Sequence, residues 1–302
     1  MKLSRDVIIP AVRREVESRD KLPLFDYGNA ENRNKIVSWY TFGHEGRYCT
    51  NYVGLRNRIG ILSEATTYIP FKARVVATDK FVTSVLDWVA AHSRQVIDAT
   101  RGADARVVAW GLDPSKAPAL GVRFDFASRG EEAVLLEKKT DTPPPSTSRP
   151  VAIDRVKMQV YDRFKATKTA KFPAAYLLPA SAEKAVALLK AHGVVVERLV
   201  APWSGAGEEF VVGEANVAAR PFQGHKLIEL NGAFRPVTAN ATVGSYIVRT
   251  AQPLGILAFH LLEPESTDGV AAWGFRGESF AKESVFPIVK VMTPVAVAGE
   301  RV

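Results

Sequence analysis

Cysteine is nearly absent from this sequence: Cys49 is the single one. No intrachain disulfide can form, so no covalent staple holds the fold, and a reducing compartment is compatible. Cys-x-x-Cys and Cys/His zinc spacings are missing too. No apolar run approaches the ~20 residues that cross a bilayer as a helix, so no membrane span is expected. The opening stretch MKLSRDVIIPAVRREVESRDK has one short apolar-rich patch and then turns charged. It reads as a segment already inside a domain, not as a signal peptide. Charge of one sign is not massed anywhere. The net charge is +8 and the pI is near 9.5, but Lys and Arg alternate with acids, as in RVKMQVYDRFKATKTAK at 155–171. That favours a solvated basic surface over a nucleic-acid groove. No nucleic-acid partner is expected, and a basic nucleic-acid-binding protein stays as an alternative resting on charge alone. There is no internal repeat.

The remainder is ordinary. Hydrophobic residues make up 47% and charged residues 24%, the balance of a globular protein. A chain of 302 residues holds one large or two ordinary domains. Texture changes near residue 100, which is taken as the boundary between 1–100 and 101–302.

Periodicity gives a provisional map. Residues 4–19 read as a helix capped by Ser4, with Val7, Ile8, Val12 and Val16 on one stripe and Pro10 in its path. KLPLF reads as a short strand leading into a polar loop, and IVSWYTFGHEGRYCTNYVG at 36–54 as a long ordered loop. Residues 54–64 read as a strand. Leu55, Asn57, Ile59 and Ile61 share one face; Arg56, Arg58, Gly60, Leu62 and Glu64 share the other. A long helix is expected over 71–98, burying Val75, Thr78, Phe81, Val82, Val85, Leu86 and Val89, with Gly102 as the stop signal. RVVAWGL at 106–112 reads as the first of several strands, with ALGVRFDFA, EAVLLEKK, RVKMQVYDRFKATKT and GSYIVRT after it. TDTPPPSTSRP at 140–150 is a loop. AAYLLP, then SAEKAVALLKAHG capped by Ser181 and stopped at Gly193, then VVVERL, suit a βαβ crossover. A shorter helix starts at Pro253. The fold class is α/β.

The stretch TNYVGLRNRIGILSEATTYIPFKARVVATDKFV at 50–82 resembles the end of the catalytic domain of zinc carboxypeptidases of the carboxypeptidase A family. AAYLLPA, LLKAHGVVVERL, ARPFQGHK and YIVRTAQPLGILAFHLLEPESTDG resemble the C-terminal extension of a bacterial branch. The resemblance implies an incomplete carboxypeptidase-like mixed sheet with flanking helices over 1–100, followed by a strand-rich α+β accessory domain over 101–302. It implies zinc-dependent hydrolysis of a peptide or peptidoglycan-type substrate. Glu64 would be the general base, taking a proton from metal-activated water. Tyr40 would stand near the place of the substrate-contacting tyrosine, with Tyr48 and Tyr52 competing for that role. Arg58 is added on its strand face with Glu64, as an anion holder.

The family carries its zinc motif, His-x-x-Glu with a distant second histidine, upstream of the glutamate, and no His-x-x-Glu precedes Glu64 here. The histidines are His44, His92, His192, His225 and His260. A catalytic zinc needs three protein ligands and an open position. The chain is therefore expected to hold no zinc tightly and to be inactive alone, as a truncated member of the family. The alternative is a non-catalytic peptide- or cell-wall-binding module. For the rest, plainer readings suffice: a packing role for Tyr40, surface ion pairs for Arg56 and Arg58, a helix-end role for His192, and an incidental thiol for Cys49.

Overall fold

A computed structural model describes residues 2–66, 69–137, 153–274 and 280–302. The Pro/Ser/Thr loop expected at 140–150 lies outside the described residues. The protein is mixed α/β, with two sheets.

The chain opens with helix α1 (Ile9–Glu15), extended by π-helical turns at Leu3–Ile8 and Val16–Asp20. Pro10 lies where the π-helical stretch gives way to α1, inside the continuous helix rather than at its start. Ile8, Val12 and Val16 are buried as expected, but Val7 faces outward. Residues 21–28 form no strand, against expectation. Strands β1 (Asn29–Arg33) and β2 (Ile36–Tyr40) pair antiparallel instead. Their two-residue turn uses Asn34 and Lys35 at φ 52° and 67°, the left-handed pair that matches strand twist in a tight hairpin. The stretch at 36–54 is thus not one loop: it contains β2 and helix α2 (Cys49–Leu55).

The strand expected at 54–64 does not form. Helix α2 runs to Leu55, Asn57 turns the chain at φ 58°, and residues 58–66 are irregular. A strand needs a ladder partner, and none of the described strands pairs with this segment. The alternation was nonetheless informative. Ile59 and Ile61 pack together against the cluster of Ile8, Val12, Val16 and Phe81, so their face is buried against helices rather than within a sheet.

The long helix is two helices, α3 (Phe71–Ala91) and α4 (Ser93–Leu112), broken at His92. Gly102 does not stop it, and 106–112 is helix rather than strand. Only Phe81 and Ser84 of α3 are fully buried. Phe71 is 73% exposed and Leu86 61%, and Val75 and Val82 are exposed with them. The predicted stripe exists, but three of its seven residues, Val75, Val82 and Leu86, are uncovered.

Strands β3 (Leu120–Glu137) and β4 (Ile153–Ala170) complete the first sheet, in the order β1-β2-β4-β3. β2 lies parallel to β4, so this sheet joins segments from either side of residue 100.

The second sheet comprises β5 (Ala175–Leu178), β6 (Glu197–Leu199), β7 (Trp203–Val217), β8 (Ile228–Ala241), β9 (Tyr246–Arg249), β10 (Val285–Val291) and β11 (Gly299–Arg301). Its order is β11-β6-β9-β5-β10-β7-β8. Helices α5 (Glu183–Ala191) and α6 (Gly255–Leu262) accompany it. β9 runs antiparallel to both β5 and β6, so β5–α5–β6 is the expected crossover with one strand inserted. Ser181 does not cap α5; the cap position is Ala182. Both faces of the sheet are apolar. Tyr176, Leu178 and Val248 point to the core shared with α5 and α6, whereas Ala175, Leu177 and Ile247 point to the opposite cluster. This alternation is the two-residue period of a strand covered on both sides.

Helix α4 is fastened to the second sheet at a bare glycine. A Cβ on Gly111 would lie 2.2 Å from the backbone N of Ala251 and 2.5 Å from the carbonyl carbon of Thr250. Backbone cannot yield as a side chain can. Gly111→Ala is expected to destabilise by about 1–3 kcal/mol. Urea unfolding measures this, and an unchanged midpoint would refute the close approach.

Candidate functional site

The candidate site is a cleft of about 580 Å³ between the segment around Gly46, helix α2, the end of α5, and α6. Its size and largely apolar lining suit a small-molecule or side-chain pocket. Leu55, Leu188, Leu257, Leu261 and Trp273 supply that lining. The two charged residues bordering the cleft, Arg47 and Asp268, neutralise each other. The Arg47 backbone N–H donates to Asp268 Oδ2 at 2.7 Å, and its Nη2 meets Oδ1 at 2.7 Å. Trp273 Nε1 donates to Oδ1 at 3.0 Å. The Arg47 guanidinium also lies 4.9 Å from the Phe222 ring centre and 5.2 Å from that of Trp273.

Three histidines line the cleft, His192, His225 and His260. At the end of α5, His192 Nδ1 is 2.8 Å from Tyr52 Oη. Arg56 Nη1 donates to Tyr52 Oη at 3.1 Å and to the His192 carbonyl at 2.6 Å. Burial, reinforced by Arg56, lowers the His192 pKa, so the imidazole is neutral near pH 7 and does not act as a helix-end cation. His260 is buried in α6. Its Nδ1 is 3.3 Å from Ser266 Oγ, while Nε2 has no hydrogen-bond partner. Burial drives its pKa down to about 4; the nearby Asp268 opposes this and His44 adds to it.

The expected site residues are not assembled. Glu64 is exposed on the irregular segment and lines neither this cleft nor a smaller polar one of about 370 Å³. Arg58 does not share a strand face with it, because there is no strand. It pairs with Asp104 of α4 at 3.0 Å. Tyr40 is buried, stacked on Tyr161 at 4.7 Å with the Arg33 guanidinium 3.8 Å from its ring centre, so it packs the first sheet. Tyr48 precedes α2 and packs on Phe42. Tyr52 does line the cleft. Cys49 borders it as an exposed thiol. His92 stacks on Trp88 at 4.1 Å, and His225 faces Trp273.

One His-x-x-Glu spacing does occur, at His260-Leu261-Leu262-Glu263, far downstream of where the family carries it. The sequence reading passed over it. In the fold the pair is divided. His260 lines the cleft, whereas Glu263 is fully buried against Lys290 Nζ at 2.9 Å and accepts from Tyr176 Oη. Among the described residues, no three His, Cys, Asp or Glu side chains converge to hold a metal. The residues present do not fit the zinc that the resemblance implies, and no step is derived through it. No described helix is long and apolar enough to cross a membrane.

Comparison with known proteins finds no matching family model and no matching solved structure. Carboxypeptidase 2 of Trichophyton tonsurans is 31% identical over 134 residues, which is 42% of this chain and 23% of that protein. The relationship to carboxypeptidases is distant, and the match spans about a quarter of the relative's length.

Proposed function

We propose that this chain is the C-terminal portion of a carboxypeptidase-like zinc peptidase, joined to a strand-rich accessory unit, with peptide or peptidoglycan-type substrates for the whole enzyme. The similarity to a carboxypeptidase carries the reading. The uncovered stripe Phe71, Val75, Val82 and Leu86 on α3 supports it, because a large exposed apolar face marks a surface built to be covered. In this reading the zinc ligands lie on residues outside the chain, upstream of Glu64. Glu64 is the general base only in the assembled domain.

The test is an in-frame polypeptide extended upstream of Met1. It is expected to carry His-x-x-Glu, to cleave a C-terminal peptide bond with zinc, and to lose roughly 10²–10⁴-fold in kcat on Glu64→Gln. The chain alone is expected to be inactive. Zinc-dependent cleavage that ignores Glu64→Gln overturns the assignment. A non-catalytic peptide-binding module is the second reading, favoured by the apolar cleft at Tyr52 and His260, which Glu64 does not enter.

A further inference from the structure

One carboxylate in the smaller, polar cleft of about 370 Å³ has no counter-charge. Glu45, Glu229, Glu265, Arg47 and Arg123 all border that cleft. Arg47 is held by Asp268 at 2.7 Å, Arg123 by Glu229 at 3.1 Å, and Glu265 by Lys168. Pairing these off leaves Glu45, whose carboxylate meets no cation and no hydrogen-bond donor among the described residues. Its Oε2 is buried, folded beneath Gly43. A methyl on that glycine would overlap Oε2 and lie 2.9 Å from Glu45 Cδ. Oε1 is not shut off in this way and stays open to solvent. The backbone on either side is pinned. Asn51 Nδ2 donates to the carbonyls of Gly43 and Glu45 at 3.0 and 3.1 Å, and the Arg47 N–H is fixed on Asp268. The cleft itself is open, since Val217 on its wall is 47% exposed and the Glu229 side chain 60%.

We propose that this cleft binds a primary ammonium group on an aliphatic chain, the cation on Glu45 Oε1 and the chain along Val217, Ala218 and Leu227. An anion would meet Glu45 with no cation to spare, because both guanidiniums are already engaged by Asp268 and Glu229. A neutral ligand would take water from Glu45 and give it no charge in return. A guanidinium grips a carboxylate best through two oxygens side by side, and Oε2 is covered. An ammonium is a point charge and needs only one. A tightly held metal ion has no ligand set, since no three His, Cys, Asp or Glu side chains converge among the described residues. His44 does not neutralise its neighbour. Its Nε2 is 3.3 Å from Thr267 Oγ1, and burial lowers its pKa, so the ring is neutral at pH 7. The methylenes of an alkylammonium cover the apolar wall while the charged head stays at the wet end. The proposal goes beyond the hydrolase reading and is tested apart from it, because Glu64 does not line this cleft.

The probe is n-pentylammonium, titrated into the full chain at low salt while the Glu45 carboxyl carbon is followed by NMR and the heat by calorimetry. The expected result is saturable binding with a shift at that carbon, weakening as salt is raised. 1-Pentanol, which keeps the stem and lacks the charge, should bind at least about tenfold more weakly, as the loss of one charged hydrogen bond predicts. Glu45→Gln keeps the shape and removes the charge. It should weaken pentylammonium by about tenfold and leave pentanol unchanged. Nα-acetyl-lysine methylamide separates the two sources of such a group. Tighter binding than pentylammonium assigns the cleft to a lysine side chain of a peptide, weaker binding assigns it to a free amine, and either supports the ammonium site. Equal binding of pentylammonium and pentanol, preference for n-butylguanidinium, indifference to Glu45→Gln, or no saturation would each overturn the proposal. Failure of the peptidase reading would leave every one of these measurements unmoved.

Discussion

Lys290→Met is expected to remove about 3–5 kcal/mol of stability, because it strands a buried carboxylate. Lys290 lies in β10 at 2% exposure, and Glu263 at 1%. Their charges meet at 2.9 Å, Tyr176 Oη donates to the same carboxylate oxygen, and the ammonium lies 4.3 Å from the Phe234 ring centre. Burial raises the pKa of Glu263, while Lys290 and the Tyr176 hydrogen bond pull it back down. Without Lys290 that pull is lost, and the carboxyl must take up a proton or leave the core. The penalty should therefore be largest near neutral pH and shrink below the ordinary glutamate value of 4.5, where the unfolded state is protonated as well. The double variant Lys290→Met with Glu263→Gln should recover most of the loss, since no charge is then left alone. Urea unfolding of the single and double variants at two pH values is the measurement. A single variant costing less than about 1 kcal/mol would mean that solvent reaches Glu263, against its burial.

This triad shows what local sequence can and cannot convey. VFPIVKV looks like a strand with an exposed lysine, yet Lys290 is paired in register with Tyr176 and buried among partners distant in sequence. Long-range pairing of this kind carries no local signal. Elements with strong periods were legible: the β4 strand, helices α5 and α6, and the crossover between β5 and β6, whereas ALGVRFDFA and EAVLLEKK, read as two strands, form the single strand β3. RVVAWGL was misread because a short apolar run suits a strand and a buried helix equally. Gly102 was misread because a single exposed glycine costs a helix only about 1 kcal/mol, which the rest of α4 outweighs. At Ile59 and Ile61 the face was right and the element wrong, since alternation reports burial and not pairing. The site followed the same rule. Tyr52 was named through resemblance, but its contacts to His192 and Arg56 come from folding α2 onto the end of α5. His260 had a visible signal in its spacing to Glu263. The approach of Gly46 to its ring joins positions far apart in sequence and had none.

His260→Asn is expected to flatten the acid side of the stability profile. The imidazole falls from the ordinary 6.5 to about 4 in the fold. Between those values the unfolded chain holds a proton that the folded chain lacks, so stability rises with pH across this window. It is fully present above 6.5 and is lost as pH falls towards 4. At about 1.4 kcal/mol per tenfold, this one group accounts for about 3 kcal/mol of the loss. The groups near it pull in different directions. Asp268 favours the protonated ring and His44 disfavours it, while Arg47 holds Asp268 in its pair. His44 and His192 are themselves lowered by burial, so the parent protein loses more than the His260 share. Only the difference between parent and variant isolates it. Chemical unfolding at about pH 7 and about pH 4.5 should show the variant losing roughly 2–3 kcal/mol less than the parent on acidification. Equal losses would place the His260 ring in water, against its burial.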